Sequence, residues 1–384
     1  MIIPAKKMIS LLPLVRKINK KVTISKGWAN YYFYFLGREA LLGSLIRLGV
    51  KPGESIVIPA YICNSTIDPL KEFGFNICFI DVNKNMSIDC DELTKLHFSV
   101  FPRAILIVHY FGIVQDLDRL FNICRERNIL IIEDFAHSFL SLEGNNDTKM
   151  KGDAAIYSLR KILPVNNGGV LRFKDSKNNS NFRNIFKDSF SFGDFIFIIK
   201  SAVFKLVVYM QLFNIYTEKV DSIKNNIYLF KNNSSNKSFS RPSLTVLSKV
   251  TAIFLSDETY LNMVRCSHRN NYINLAHNLK KNNIFCFKSQ IRYGAVPQAL
   301  PITNPTLFDE VKQLRKKGIG AYKWPGKELP SQVIDCSKYP NANYFNKHLT
   351  ILPIHSSITN SQIISISDIY RSIREKNDNK EIKK

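Results

Sequence analysis

Acidic residues are scarce: 31 Asp+Glu face 54 Lys+Arg in 384 residues, leaving a net charge of +23. That balance admits nucleic acid, an anionic membrane surface or a phosphate-bearing substrate as partners. The excess is mostly Lys dispersed among Asn and Ile, so a compositional bias without function accounts for it equally well. No aromatic-interleaved basic stripe supports nucleic-acid binding. The seven cysteines (63, 78, 90, 124, 266, 286 and 336) include no C-x-x-C pair and are odd in number, which argues against a disulfide framework. Several lie in apolar runs such as Asn76 to Ile80, and reduced, buried thiols favour a cytoplasmic protein.

Other signatures are missing too. The N-terminal stretch is broken by Lys6 and Lys7 and has no small-residue cleavage pattern, so a signal peptide is not expected. The longest membrane-like run, Phe195 to Phe213, contains Lys200 and Lys205, each costing roughly 2.5–3.5 kcal/mol at a bilayer centre. Phosphate-loop and G-x-G-x-x-G motifs are absent. Histidines 97, 268, 277 and 348 have no ligand-like spacing, so no metal is expected. What remains is a chain with 45% hydrophobic and 12% aromatic residues, enough for a sizeable core and two domains.

From residue 37 to about 175, helical and strand patterns alternate, which predicts a mostly parallel sheet flanked by helices. Helices are expected at Gly37–Leu48, Asn64–Phe73, Cys90–Leu96 and Asp116–Arg127. Strands are expected at Ser55–Ile58, Asn76–Val82, Ala104–Val108, Asn128–Ile132 and Asp153–Ser158, with a turn at Asn166–Gly169 leading into another strand. Phe192–Tyr216 is aromatic and basic and predicts an amphipathic helix pair, either a packed excursion or a docking element for a membrane surface or partner. A long helical pattern covers Pro242–Lys281, and mixed strands and helices follow to Asp368. Residues after Arg374 read as a frayed, charged tail.

Ligands of open α/β sheets bind beyond the carboxyl ends of the strands. There the chain places Asp134 at one strand exit, Ser158-Leu-Arg-Lys161 at another, and Gly168-Gly169 in a turn that needs positive φ or close backbone approach. The helix opened by Gly37-Arg-Glu offers amides for a phosphate. An amine, a carboxylate and an anion cradle are the parts pyridoxal phosphate requires: an amine for its aldehyde, a carboxylate for its pyridine nitrogen, donors for its phosphate.

These stretches resemble the sugar aminotransferases of the DegT/StrS group, which are fold-type-I pyridoxal phosphate enzymes. The likeness runs through Gly37-Arg-Glu-Ala-Leu, Val50–Ala60, Phe79-Ile-Asp-Val82, Val108-His-Tyr-Phe-Gly112, Ile132–His137, Gly152-Asp153 and Tyr157–Lys161, and ends at Gly168-Gly169. Weaker likeness continues at Arg269–Tyr272, Trp324-Pro325 and Leu352–His355. The resemblance implies an α/β fold with a cofactor-binding large domain, whose mixed, mostly parallel sheet is flanked by helices, and a smaller C-terminal α/β domain. The corresponding divisions are an N-terminal segment (1–36), the large domain (37–191), a Phe- and Lys-rich helical excursion (192–241), the small domain (242–374) and the tail (375–384).

By the same resemblance, Lys161 is the Schiff-base lysine and general base, and Asp134 partners the pyridinium. His137 lies near the cofactor's O3′, unless it is a packed core histidine. Ser158 and the amides of Arg38 and Glu39, after Gly37, hold the phosphate. Three departures stand out. Cys63 occupies the position of the ring that stacks on the cofactor, which Tyr61 could supply instead. Lys161 follows Ser158 by three residues, a short spacing for the group. The segment that reaches the neighbouring subunit's cofactor is not recognisable. His109 and His355 fall in matching stretches but read as packed residues.

The implied activity is transfer of an amino group, from glutamate, onto a nucleotide-linked keto sugar for surface polysaccharide or lipopolysaccharide, by a cytoplasmic homodimer. The alternatives are a pyridoxal-phosphate-dependent dehydratase or an aminotransferase on another substrate, and a non-catalytic relative bound to a partner or to membrane through 192–216.

Overall fold

The runs Ala104–Val108 and Leu130–Ile132 are apolar without alternation, a pattern that survives only where a strand is covered on both faces. In the computed structural model they become central strands. The structure describes residues 2–5, 7–10, 12–17, 22, 31–95, 102–115, 117–142, 150–174, 187, 189–210, 242–292, 294–303, 310–326 and 329–381. In chain order the first half contains α1 (Leu12–Lys17), β1 (Tyr31–Tyr34), α2 (Gly37–Arg47), β2 (Ser55–Pro59), α3 (Asn64–Glu72), β3 (Asn76–Ile80), α4 (Cys90–Lys95), β4 (Ala104–Val108), α5 (Asp118–Glu126), β5 (Leu130–Asp134), β6 (Ala154–Ser158), α6 (Leu159–Ile162) and β7 (Gly169–Phe173). Then come α7 (Phe192–Tyr209), α8 (Lys249–Ser256), α9 (Glu258–Lys281), β8 (Ala299–Thr303), α10 (Glu310–Lys316), α11 (Pro340–His348), β9 (Leu349–Pro353) and α12 (Asn360–Glu381).

The large sheet has the order β1-β7-β6-β5-β4-β2-β3. β2 to β6 run parallel, β7 is antiparallel to β6, and β1 closes the edge antiparallel to β7. The expected mostly parallel sheet flanked by helices is therefore present. β8 and β9 form a separate antiparallel pair, packed with α9 and α12 around Tyr272, Leu300, Leu352 and Tyr370. The order reverses between β2 and β4, so a crevice opens at the carboxyl ends of the strands on either side.

Several boundaries differ from the sequence pattern for local reasons. Asn128 adopts φ 54° in the turn after α5, a left-handed conformation that Asn tolerates, so β5 starts two residues later than expected and Asp134 is its last residue. β3 stops at Ile80 because the Asp81 carboxylate takes the Val82 amide at 2.8 Å. The expected helix over 242–281 is two: Ser248 caps α8, and Asp257 breaks the chain and caps α9. The charged end after Arg374 does not fray at once, since α12 continues to Glu381 with Asn377 buried. Of the expected helix pair at 192–216, one helix, α7, is described. Residues 211–241, like 175–186, His97 and Asp116, lie outside the described residues.

Two contacts tie these elements to the site. Gly168 has φ +125°, and a Cβ on Gly169 would collide with the Leu36 carbonyl and lie 2.8 Å from the Gly37 nitrogen. The Gly-Gly turn thus lets the start of α2 press against the β6–β7 edge. Buried Asp81, at the end of β3, accepts from the Asn341 and Ala342 amides at 2.9 Å each and so caps α11 from the opposite part of the chain. Replacing a capping carboxylate costs about 1–2 kcal/mol. We expect Asp81→Ala to lower the unfolding free energy by about that amount in urea titration, with Asn recovering part; an unchanged midpoint for Asp81→Ala would contradict the assignment.

Candidate active site

The carboxyl ends of β2, β4, β5 and β6 bring together Cys63, Phe111, Asp134, His137, Ser158 and Lys161. Successive strand residues face opposite sides, which separates the acidic pair on β5. Glu133 turns away and binds His109 Nε2 at 3.0 Å and the Lys151 and Gly152 amides at 2.6 Å each. Asp134 faces the crevice and accepts the Ala136 amide at 2.7 Å. Burial pushes the Asp134 carboxyl upward, while Lys161, the Ala136 amide and His109 pull it back.

Lys161 sits on the four-residue helix α6, whose N-cap is Ser158. Burial lowers the pKa of its amine, and Asp134 and then Cys63 oppose that shift. The amine therefore lies within electrostatic reach of the carboxylate and the thiol. Lys161 is thus more easily deprotonated than a surface lysine.

His137 is buried, and burial, with Lys161 nearby, holds it well below its ordinary pKa. Its Nδ1 accepts the Phe111 amide at 3.0 Å, so the neutral ring carries its proton on Nε2 and can donate from there. Phe111 has φ 57°, a left-handed conformation costly for an aromatic residue. The amide bond to His137 and the bond from Gln298 N to Phe111 O at 2.8 Å hold it. Trp324, from beyond β8, lays its ring against His137, Phe111, Tyr110 and Tyr61 at centroid distances of 5.3, 5.8, 5.4 and 4.9 Å.

The anion cradle differs in part from expectation. Gly37 leaves room for Ser158: a Cβ there would sit 3.5 Å from Ser158 Cβ and 3.9 Å from its Oγ. Ser158 is nine-tenths buried and makes no side-chain capping bond. The Arg38 amide belongs to the first turn of α2 and is oriented as a helix N-terminal donor. The Glu39 amide donates instead to Leu36 O at 3.1 Å, and its carboxylate accepts the Phe35 amide at 3.2 Å, so Glu39 serves the turn and not the cradle.

The alternative stacking ring is also corrected. Tyr61 has no exposed surface: it packs on Tyr110, Trp324 and Phe345, and its hydroxyl donates to Trp324 O. Cys63 is the partly exposed residue at that position, held at the start of α3 with its Sγ 3.0 Å from Thr66 Oγ1 and 3.2 Å from Ser65 Oγ. His355 is a packing residue, bonded to Pro4 O at 2.8 Å and driven by burial down to about 4. Phe111 and Trp324 had no assigned role in the sequence, although both fall in stretches that carry the resemblance. The signal was a Trp-Pro pair far along the chain whose contact with His137 only the fold reveals.

With this geometry in place, the architecture is recognisable as the fold shared by pyridoxal-phosphate-dependent sugar aminotransferases. A putative sugar aminotransferase, Spr1654 from Streptococcus pneumoniae, in its PMP form superposes with a TM-score of 0.69 at 14% identity, over 98% of each chain. A GDP-4-keto-6-deoxymannose-3-dehydratase, ColD, with bound GDP-perosamine gives 0.64 at 15% identity, over 96% of this chain and 99% of that one. Residues 36–192 match the sequence model of the DegT/DnrJ/EryC1/StrS aminotransferase family, in agreement with the resemblance read from the motifs. GDP-perosamine synthase of Caulobacter vibrioides is 27% identical over 143 residues, 36% of this chain and 38% of the synthase. GDP-4-keto-6-deoxy-D-mannose 3-dehydratase of Yersinia pseudotuberculosis is 34% identical over 89 residues, 23% of this chain and 22% of the dehydratase. The chain spans about a third of the length of the curated relatives it matches.

Because Asp134 opposes the burial that lowers the Lys161 pKa, removing its charge should lower that pKa further and free the amine. In cofactor-free Asp134→Asn, acetic anhydride is expected to acylate Lys161 about tenfold faster near neutral pH than in the wild type, equivalent to a drop of about one pKa unit. The measurement is mass-spectrometric labelling of the Lys161 peptide across pH. Slower labelling in the variant would contradict the electrostatic assignment.

Proposed function

We propose that this protein is a pyridoxal-phosphate-dependent aminotransferase that moves an amino group from glutamate to a nucleotide-linked keto sugar. The observation that carries the reading is the placement of Lys161 and Asp134, at the ends of neighbouring strands, within electrostatic reach of each other and of a neutral His137. A binding protein has no use for a lowered-pKa amine facing a half-buried carboxylate, and this disfavours the non-catalytic alternative. The residues fit the cofactor. Lys161 offers the amine, Asp134 a carboxylate for the pyridine nitrogen, His137 Nε2–H a donor for the ring hydroxyl, and Ser158 with the Arg38 amide an anion cradle beside Gly37.

Bound there, pyridoxal phosphate supplies the electron sink that lets the Cα–H bond of the amino donor break heterolytically. The chain's residues do the rest. The amine of Lys161, deprotonated more readily than a surface lysine, would serve as the base that takes the proton from the donor's Cα and as the acid that gives it back. Asp134 would offer its carboxylate to positive charge on the ring nitrogen, and Lys161 and the Ala136 amide oppose the burial that raises its pKa. His137, fixed by the Phe111 amide, donates one hydrogen bond and does not titrate near neutral pH. Trp324 and the rings around it keep water from this side of the pocket.

A cavity of about 640 Å³ beside Phe111 is large enough for a nucleotide sugar; Lys288 and Arg292 line it, together with Asp89, Asp91 and the Arg119 that pairs with Asp91 at 2.5 Å. The relatives named for GDP-perosamine synthesis support that substrate class. Function in surface polysaccharide or lipopolysaccharide synthesis, a cytoplasmic location and assembly as a homodimer belong to the same reading. Among the described residues, no helix is long and apolar enough to cross a membrane.

The second reading, a dehydratase that removes a sugar hydroxyl, is motivated by the similarity to the Yersinia pseudotuberculosis enzyme. Incubation with pyridoxal phosphate, glutamate and a GDP-4-keto-6-deoxy sugar separates the two. The proposal expects an amino sugar, with 2-oxoglutarate formed in equal amount, and loss of more than about a thousandfold in rate for Lys161→Ala. A deoxy-keto sugar released with ammonia would establish the dehydratase instead.

A further inference from the structure

α7 carries an apolar face that the other described residues leave exposed. Phe192, Phe195, Ile199, Val203, Leu206 and Met210 recur every three or four residues on one side, and each exposes between 49% and 81% of its surface. The opposite side, with Asp194 and Val208, is buried against the chain. The helix start is well defined: Ser191 accepts the Asp194 amide at 3.3 Å, and Asp194 accepts the Ser191 amide at 3.0 Å. A continuous exposed apolar strip on a firmly capped helix marks an interaction surface.

The charges around the strip identify the partner. Lys200 and Lys205 are exposed and lie on opposite flanks, roughly 100–120° from the strip's midline at the helical period. The helix's one acid, Asp194, is buried and tied into its cap. Packing two copies through this face would set lysines against lysines with no carboxylate on either helix to pair with them. An anionic surface pairs with both flanks at once, and the long lysine stems allow the ammonium groups to reach phosphates while the apolar residues sink below them. An apolar groove of about 550 Å³ continues the strip between α7 and the N-terminal segment, lined by Ile2, Met8, Leu206 and Tyr209, with Lys205 also at its wall.

We infer that α7 docks the protein onto an anionic lipid surface. The helix lies in the interface plane, with Phe192 to Met210 at the acyl boundary and Lys200 and Lys205 at the headgroup phosphates. It rests on the membrane without crossing it. The net charge of +23 adds long-range attraction to the same surface.

Flotation of the full chain with vesicles tests this, using phosphatidylcholine alone and phosphatidylcholine mixed with phosphatidylglycerol. The wild type should float with the mixed vesicles about tenfold better than with the neutral ones, and added salt should reduce that preference. Ile199→Glu with Leu206→Glu should abolish flotation, and Lys200→Gln with Lys205→Gln should remove the preference for anionic lipid. The substituted side chains are exposed, so circular dichroism should be unchanged. Failure to float with anionic vesicles would overturn the inference, as would equal flotation of the double-Glu variant. A wild-type oligomer that falls to a smaller species in sedimentation when Ile199 is Glu would instead assign the face to a second copy.

Discussion

A half-buried amine and carboxylate within reach of each other, Lys161 and Asp134, set the constraint that the surrounding structure meets. Each alone would be driven to its neutral form by burial, and each opposes that shift in the other. Such a pair is rarely the cheapest way to stabilise a fold, since desolvation offsets much of the attraction between the charges. Its retention in a crevice at the strand ends is therefore a statement about chemistry more than about stability. The neighbours bear this out: a left-handed Phe111 amide fixes the His137 tautomer, and Gly169 removes its Cβ so that the start of α2 can approach Ser158.

The site is assembled by residues on short, stiff supports. Asp134 is the last residue of a central strand, Ser158 ends its neighbour, and Lys161 follows on a helix of one turn. A strand end positions a side chain through the whole sheet, whereas a loop positions it only through itself. Trp324 reaches the same cluster from the second half of the chain, and Asp81 caps α11 from the first. The two halves thus meet beside the pocket, so the site depends on both.

Much of the sheet was legible because parallel strands buried on both faces leave unbroken apolar runs, and β2, β4 and β6 lie within a residue of where those runs place them. β5 was displaced because Asn128 looks like the start of a strand but belongs to a turn, a choice made by backbone φ that residue type only biases. That Lys161 and Asp134 would come together at neighbouring strand ends was legible through order and spacing. Glu39 and Tyr61 were not, since whether an amide is free or a ring is covered depends on partners far along the chain, Trp324 and Phe345 among them. The apolar residues of α7 were visible as composition, yet their one-sided exposure emerged only once Asp194 and Val208 were seen to be buried.

The most direct test of the central claim is reductive trapping. The protein is loaded with pyridoxal phosphate, reduced with borohydride and digested, and the modified peptide is sequenced by mass spectrometry. The account predicts a single stable pyridoxyl adduct on Lys161, absent from Lys161→Ala. An adduct spread over surface lysines, with Lys161 unmodified, would contradict it.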